Sequence, residues 1–95
     1  MKLEKVTKST VKSKKWTAIF STDDAHTKKV HFGSAGMDDY TIGATEEQRK
    51  SYRARHKKDL DTKDPTRAGY LSYYLLWNKP TLSESIKDYK KRFNM

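Results

Sequence analysis

Bulky apolar side chains recur along this chain with two different periods. Trp16-Thr17-Ala18-Ile19-Phe20-Ser21 alternates bulky and small residues and is rich in β formers, the period-two pattern of a strand. After the polar, turn-like stretch Thr22 to Thr27, Lys28-Lys29-Val30-His31-Phe32-Gly33 alternates again. The two runs predict a β-hairpin in which Trp16, Ala18 and Phe20 share a face with Val30 and Phe32. From Thr45 onward the period becomes helical. Thr45-Glu46-Glu47-Gln48 has the spacing of a capping box. Acids open the predicted helix and Arg49, Lys50, Arg53, Arg55, Lys57 and Lys58 follow, as the helix dipole favours. Tyr52 is the one large apolar residue there, with His56 a turn later, so one face of this helix is solvated and basic.

Asp64-Pro65 places an N-cap before a proline at the first helical position, and the next helix runs to about Trp77. Ala68, Leu71 and Leu75 follow helical spacing, and Asn78-Lys79-Pro80 ends it. Tyr70, Tyr73 and Tyr74 cannot all face inward beside these leucines, so at least one tyrosine is expected on the surface. Thr81-Leu82-Ser83-Glu84 is a second capping box, followed by the apolar stripe Leu82, Ile86, Tyr89 and Phe93. In the connector Gly33 to Gly43, Tyr40 and Ile42 either add a short third strand or plug the core. Strands first and helices after predict an α+β fold, an N-terminal β-hairpin packed by three C-terminal α-helices. A lone hairpin is marginal, so the helices must cover it.

Residues 1–15 show neither period. They hold Lys2, Lys5, Lys8, Lys12, Lys14 and Lys15 against Glu4 alone, and no aromatic residue. This segment reads as a flexible basic arm, with residues 16–95 as a single small domain. Composition sharpens that division. The formal net charge is +9: +5 lies in residues 1–15 and +4 in residues 16–95. Only 34% of residues are hydrophobic, against about 45–50% in an average globular chain counted with glycine. The core is therefore thin, and pairing into a homodimer would bury more surface. There is no cysteine, which excludes disulfides, cysteine–zinc sites and a thiol nucleophile. The opening residues lack the apolar run of a signal peptide, and no apolar stretch is long enough to insert in a membrane. The expectation is an intracellular, non-secreted protein.

His31-Phe32-Gly33, Gly36, Asp39-Tyr40-Thr41, Arg53 to Lys58, Asp64-Pro65, Ala68-Gly69, Leu71-Ser72, Leu76 to Leu82, Ser85-Ile86 and Asp88-Tyr89-Lys90 together resemble an uncharacterised family. Its members are small basic proteins encoded by large double-stranded DNA viruses of algae and protists and by some phages. The resemblance spans roughly residues 16 to 93 and leaves the arm outside. Leu60 stands where the family pattern has a tryptophan. The resemblance implies a viral source, in the host cell interior or the virion, and no assigned activity.

The functional signal is the cationic surface. Lys2, Lys5, Lys8, Lys12, Lys14 and Lys15 of the arm, with Arg49, Arg53, Arg55, Lys57 and Lys58 of the first helix, are the candidate nucleic-acid-binding residues, DNA being favoured. Phosphate contacts of this kind dominate affinity without reading sequence. The role this implies is genome packaging or virion association. The alternative is a minor structural or interaction protein of a virion whose arm lies on acidic protein surfaces. Gly33-Ser34-Ala35-Gly36 lacks the Lys-Ser/Thr ending of a phosphate loop and reads as a turn. His31, His56, Asp38 and Asp39 match no catalytic or metal spacing. No enzyme activity, cofactor or metal is expected.

Overall fold

A computed structural model describes residues 1–95. Three strands, β1 (Lys2–Lys8), β2 (Lys14–Ser21) and β3 (Thr27–Ser34), form an antiparallel meander in the order β1-β2-β3. Three helices follow: α1 (Glu46–His56), α2 (Ala68–Leu71, continued by a π-helical segment Ser72–Leu76) and α3 (Leu82–Arg92). The fold is α+β. The predicted hairpin is β2–β3, with Trp16 opposite Phe32 and Ala18 opposite Val30. No helix is long and apolar enough to cross a membrane.

The third strand is not at Tyr40–Ile42, which form a 3-10 turn. It is β1, inside the segment expected to be a flexible arm. A bulge explains why alternation did not reveal it. Leu3 lies opposite Phe20, Lys5 opposite Ile19 and Val6 opposite Ala18, so Glu4 is an extra residue in the pairing. The bulge turns Leu3 and Val6, three residues apart, onto the same core-facing side of the sheet. Leu3 is fully buried there.

The core joins Leu3, Ala18, Phe20 and Phe32 of the sheet to Leu71, Leu75, Leu76 and Tyr89 of the helices. Leu82, Ile86 and Phe93, the predicted stripe of α3, pack around it. The second helix begins later than expected. Asp64 Oδ1 instead accepts from the Thr66 amide and hydroxyl, at 3.0 and 2.6 Å, a side-chain turn that competes with helix. Arg67 is still extended and serves as the N-cap. Further on, the Trp77 N–H donates to the Ser72 carbonyl, five residues back. This wider turn buries Tyr70, Leu71, Tyr73, Leu75 and Leu76 together. Tyr74 is half-buried against Phe93, so none of the three tyrosines stands free on the surface.

Candidate nucleic-acid interface and adjoining groove

The sheet lays its helix-covered face against the core. By the pleat of the strands, Lys5, Ile19 and Lys29 form one row of the opposite face, and Thr7, Thr17 and His31 the next. His31 Nδ1 lies 2.9 Å from Ser9 Oγ and 2.7 Å from Thr17 Oγ1. Its imidazole therefore ties β3 to the β1–β2 connection. Lys2, Lys5, Lys8, Lys12 and Lys14 are exposed on β1, on that connection and at the start of β2. From Lys5 to Thr22 the chain contains no carboxylate. Of the sixteen lysines, Lys15 alone has a carboxylate within ion-pair distance.

Lys15 leaves the predicted patch. Its ammonium meets Asp39 Oδ2 at 2.5 Å, with side-chain exposures of 14% and 2%. Asp39 Oδ1 also accepts from the Thr41 amide and hydroxyl. This pair fastens the connector to β2.

Arg49 and Arg53 leave it too. Arg53 Nη1 donates to the carbonyls of Tyr73 and Trp77, at 3.3 and 3.0 Å, and its guanidinium lies 4.0 Å from the centre of the Tyr73 ring. Burial lowers its pKa. Arg49 Nε donates to Asn78 O at 2.8 Å. These two arginines satisfy carbonyls at the C-terminal end of the second helix, where cations are favoured. The capping box of Thr45 and Gln48 is present at the start of α1, yet α1 buries no residue fully. Arg55, Lys57 and Lys58 remain exposed.

A groove of about 920 Å³ separates α1 from the end of the sheet. Lys14, Gly33 and Ser34 form one side, the connector residues Gly36 to Asp39 an end, and Gln48, Ser51, Tyr52, Arg55 and His56 the helical side. Gly69, Ser72, Leu76 and Trp77 also line it. Tyr52 is sandwiched between Trp77, 4.5 Å away with 9° between planes, and His56, 4.1 Å away with 22°. Burial pushes the Tyr52 phenol pKa up. Asp59 Oδ2 lies 3.1 Å from His56 Nδ1. A Cβ on Gly69 would stand 3.0 Å from that of Asp59, so the glycine allows this close approach.

The groove was not legible as a site in the sequence. Tyr52 and His56, four apart, pointed to a shared helix face, but Trp77 joins them only through the tertiary fold. His31 and His56 belong to different surfaces, the open sheet face and the groove. No group of three or more His, Asp or Glu side chains is placed to hold a metal ion.

The model of DUF5754, a family of unknown function, matches residues 4–56, more than half of the chain. The chain belongs to this family. An uncharacterised protein of Acanthamoeba polyphaga mimivirus is 35% identical over 79 residues, covering 77% of this chain and 79% of that protein. The relationship to a viral protein is thereby supported. No solved structure matches the chain. The DUF5754 match starts at residue 4, within β1, so the family pattern includes most of the segment that the resemblance had left outside. It ends at His56 and thus takes in the sheet, the connector and α1, but not Trp77.

Proposed function

We propose that this member of DUF5754 is a non-catalytic viral protein that binds the phosphate backbone of nucleic acid without reading its sequence, in genome packaging or within the virion. The observation that carries the reading is the β1–β2 hairpin, with five exposed lysines and no acid between Lys5 and Thr22. Held on paired strands, these lysines meet a polyanion with less ordering cost than on a flexible arm. Each phosphate they neutralise releases condensed counterions.

The test is a binding isotherm on DNA at several salt concentrations. Affinity is expected to fall by about two to three orders of magnitude between roughly 50 and 200 mM salt. Replacing Lys5, Lys8 and Lys12 by Gln should reduce the slope of log K against log salt by about 3, with the melting temperature nearly unchanged. A flat salt profile, or an unaltered slope in the triple variant, overturns the reading. Retention on heparin with no DNA bound would instead favour an acidic protein surface as the partner.

A further inference from the structure

We propose that the groove between α1 and the end of the sheet receives the bases of a single nucleic-acid strand, one base extending the column Trp77–Tyr52–His56. This rests on the backbone-binding reading and names the form of nucleic acid that the molecule prefers.

The ring column supplies the first reason. Tyr52 is covered on both faces, but His56 stacks on Tyr52 with one face only. Its side chain is 39% exposed and lines the groove. Asp59 holds the imidazole edge, so the open ring face is fixed in orientation before a ligand arrives. A nucleobase is the planar partner such a face accepts, and stacking of this kind tolerates any base.

The charges supply the second. Lys15 and Asp39 neutralise one another, which leaves Asp38, Glu47 and Asp59 against Lys14 and Arg55 among the lining residues. A phosphate placed among those carboxylates would be repelled. The amino groups of a base would instead find acceptors there. Gln48 uses its carbonyl oxygen on the Thr45 amide, while its amide nitrogen has no partner in the protein. That nitrogen is a free donor for a base carbonyl. Lys14 on the sheet side and Arg55 on the helix side have no carboxylate partner, and both are exposed to take flanking phosphates. Bases inside and phosphates outside is an arrangement a single strand can adopt, whereas a duplex keeps its base faces stacked.

Size supplies the third. At about 920 Å³ the groove stands near the upper end of small-ligand sites, roughly 300–1,000 Å³, with room for a base and its sugar.

The experiment compares three labelled oligonucleotides of equal length by fluorescence anisotropy: a single strand of deoxycytidines, whose base carries both an amino group and a carbonyl, its abasic counterpart and a duplex. The base-bearing strand should bind about tenfold more tightly than the abasic one, with the same salt slope, and more tightly than the duplex. His56→Ala should remove that advantage and His56→Phe should keep it. In a Trp16→Phe variant, where Trp77 is the sole tryptophan, emission should change with the base-bearing strand and not with the abasic one. This readout does not depend on the His56 variants folding. Equal affinity for base-bearing and abasic strands, or tighter binding of the duplex, overturns the inference and leaves backbone binding intact. Failure to bind any of the three overturns both.

Discussion

Lys15 and Asp39 show how a residue's role depends on its setting. Among six lysines near the N-terminus, Lys15 alone is drawn into a nearly buried ion pair. Such a pair does not gain much over an apolar substitute, but removing one partner strands the other charge. Lys15→Ala should therefore destabilise the fold by about 3 kcal/mol, measured by urea unfolding, while Lys12→Ala should lie within about 0.5 kcal/mol of wild type. Gly33 and Gly36 make a second contrast. Both have positive φ, 79° and 81°. A Cβ at Gly33 would meet Leu76 Cδ1 at 2.8 Å, whereas one at Gly36 would meet nothing within 4 Å. Gly36→Ala should cost about 1 kcal/mol for the left-handed backbone alone, and Gly33→Ala clearly more. Equal melting temperatures for the two variants would contradict this account.

At the level of elements, α1 is the least anchored. It has a complete capping box, which contributes about 1 kcal/mol. It joins the rest of the molecule through two arginines and the Tyr52–Trp77 stack, with no fully buried side chain of its own. Arg53→Lys should cost about 1–2 kcal/mol, since an ammonium cannot reproduce a planar guanidinium that lies over the Tyr73 ring while its Nη1 donates to two carbonyls. Hydrogen exchange is the sensitive measurement. Amides of α1 should lose protection while those of β2 keep theirs. Uniform loss across both would mean that α1 is part of the global unfolding unit.

For the molecule as a whole, the consequence of β1 is that the N-terminal cations belong to the folded body. The radius of gyration, 12.8 Å, matches the roughly 13 Å of a compact chain of this size, with no room for a detached arm. Deleting residues 1–15 should thus abolish cooperative thermal unfolding, because it removes Leu3 and Val6 from the core, a strand from the sheet and Lys15 from Asp39. A truncated chain that melts cooperatively near the full-length temperature would return the segment to the status of an arm. Charge-neutralising substitutions, and not truncation, are the way to ask what these lysines bind.

Local rules in the sequence were enough for the β2–β3 hairpin, the capping box of α1, the stripe of α3 and the α+β order, because each depends on a period of two or 3.6 or on a fixed capping spacing. At α3 only half of the expected box forms: Thr81 Oγ1 accepts from the Glu84 amide, while the Glu84 carboxylate takes the Thr81 hydroxyl and not its backbone N–H. The cationic character of the N-terminal segment was equally plain. Tertiary structure decided the rest. Glu4 bulges, so Leu3 and Val6 reach the core at a spacing of three. Ser72 to Leu76 widen into a π turn, so both Tyr70 and Tyr73 are buried. Of the eleven cations read as one surface, Lys15, Arg49 and Arg53 are spent on internal acceptors, since an Asp39 carboxylate and unpaired helix-end carbonyls lie within their reach. The column of Trp77, Tyr52 and His56 likewise exists only where α1 crosses the end of the second helix. A spacing rule cannot see such groups, because their partners are close in space and distant along the chain.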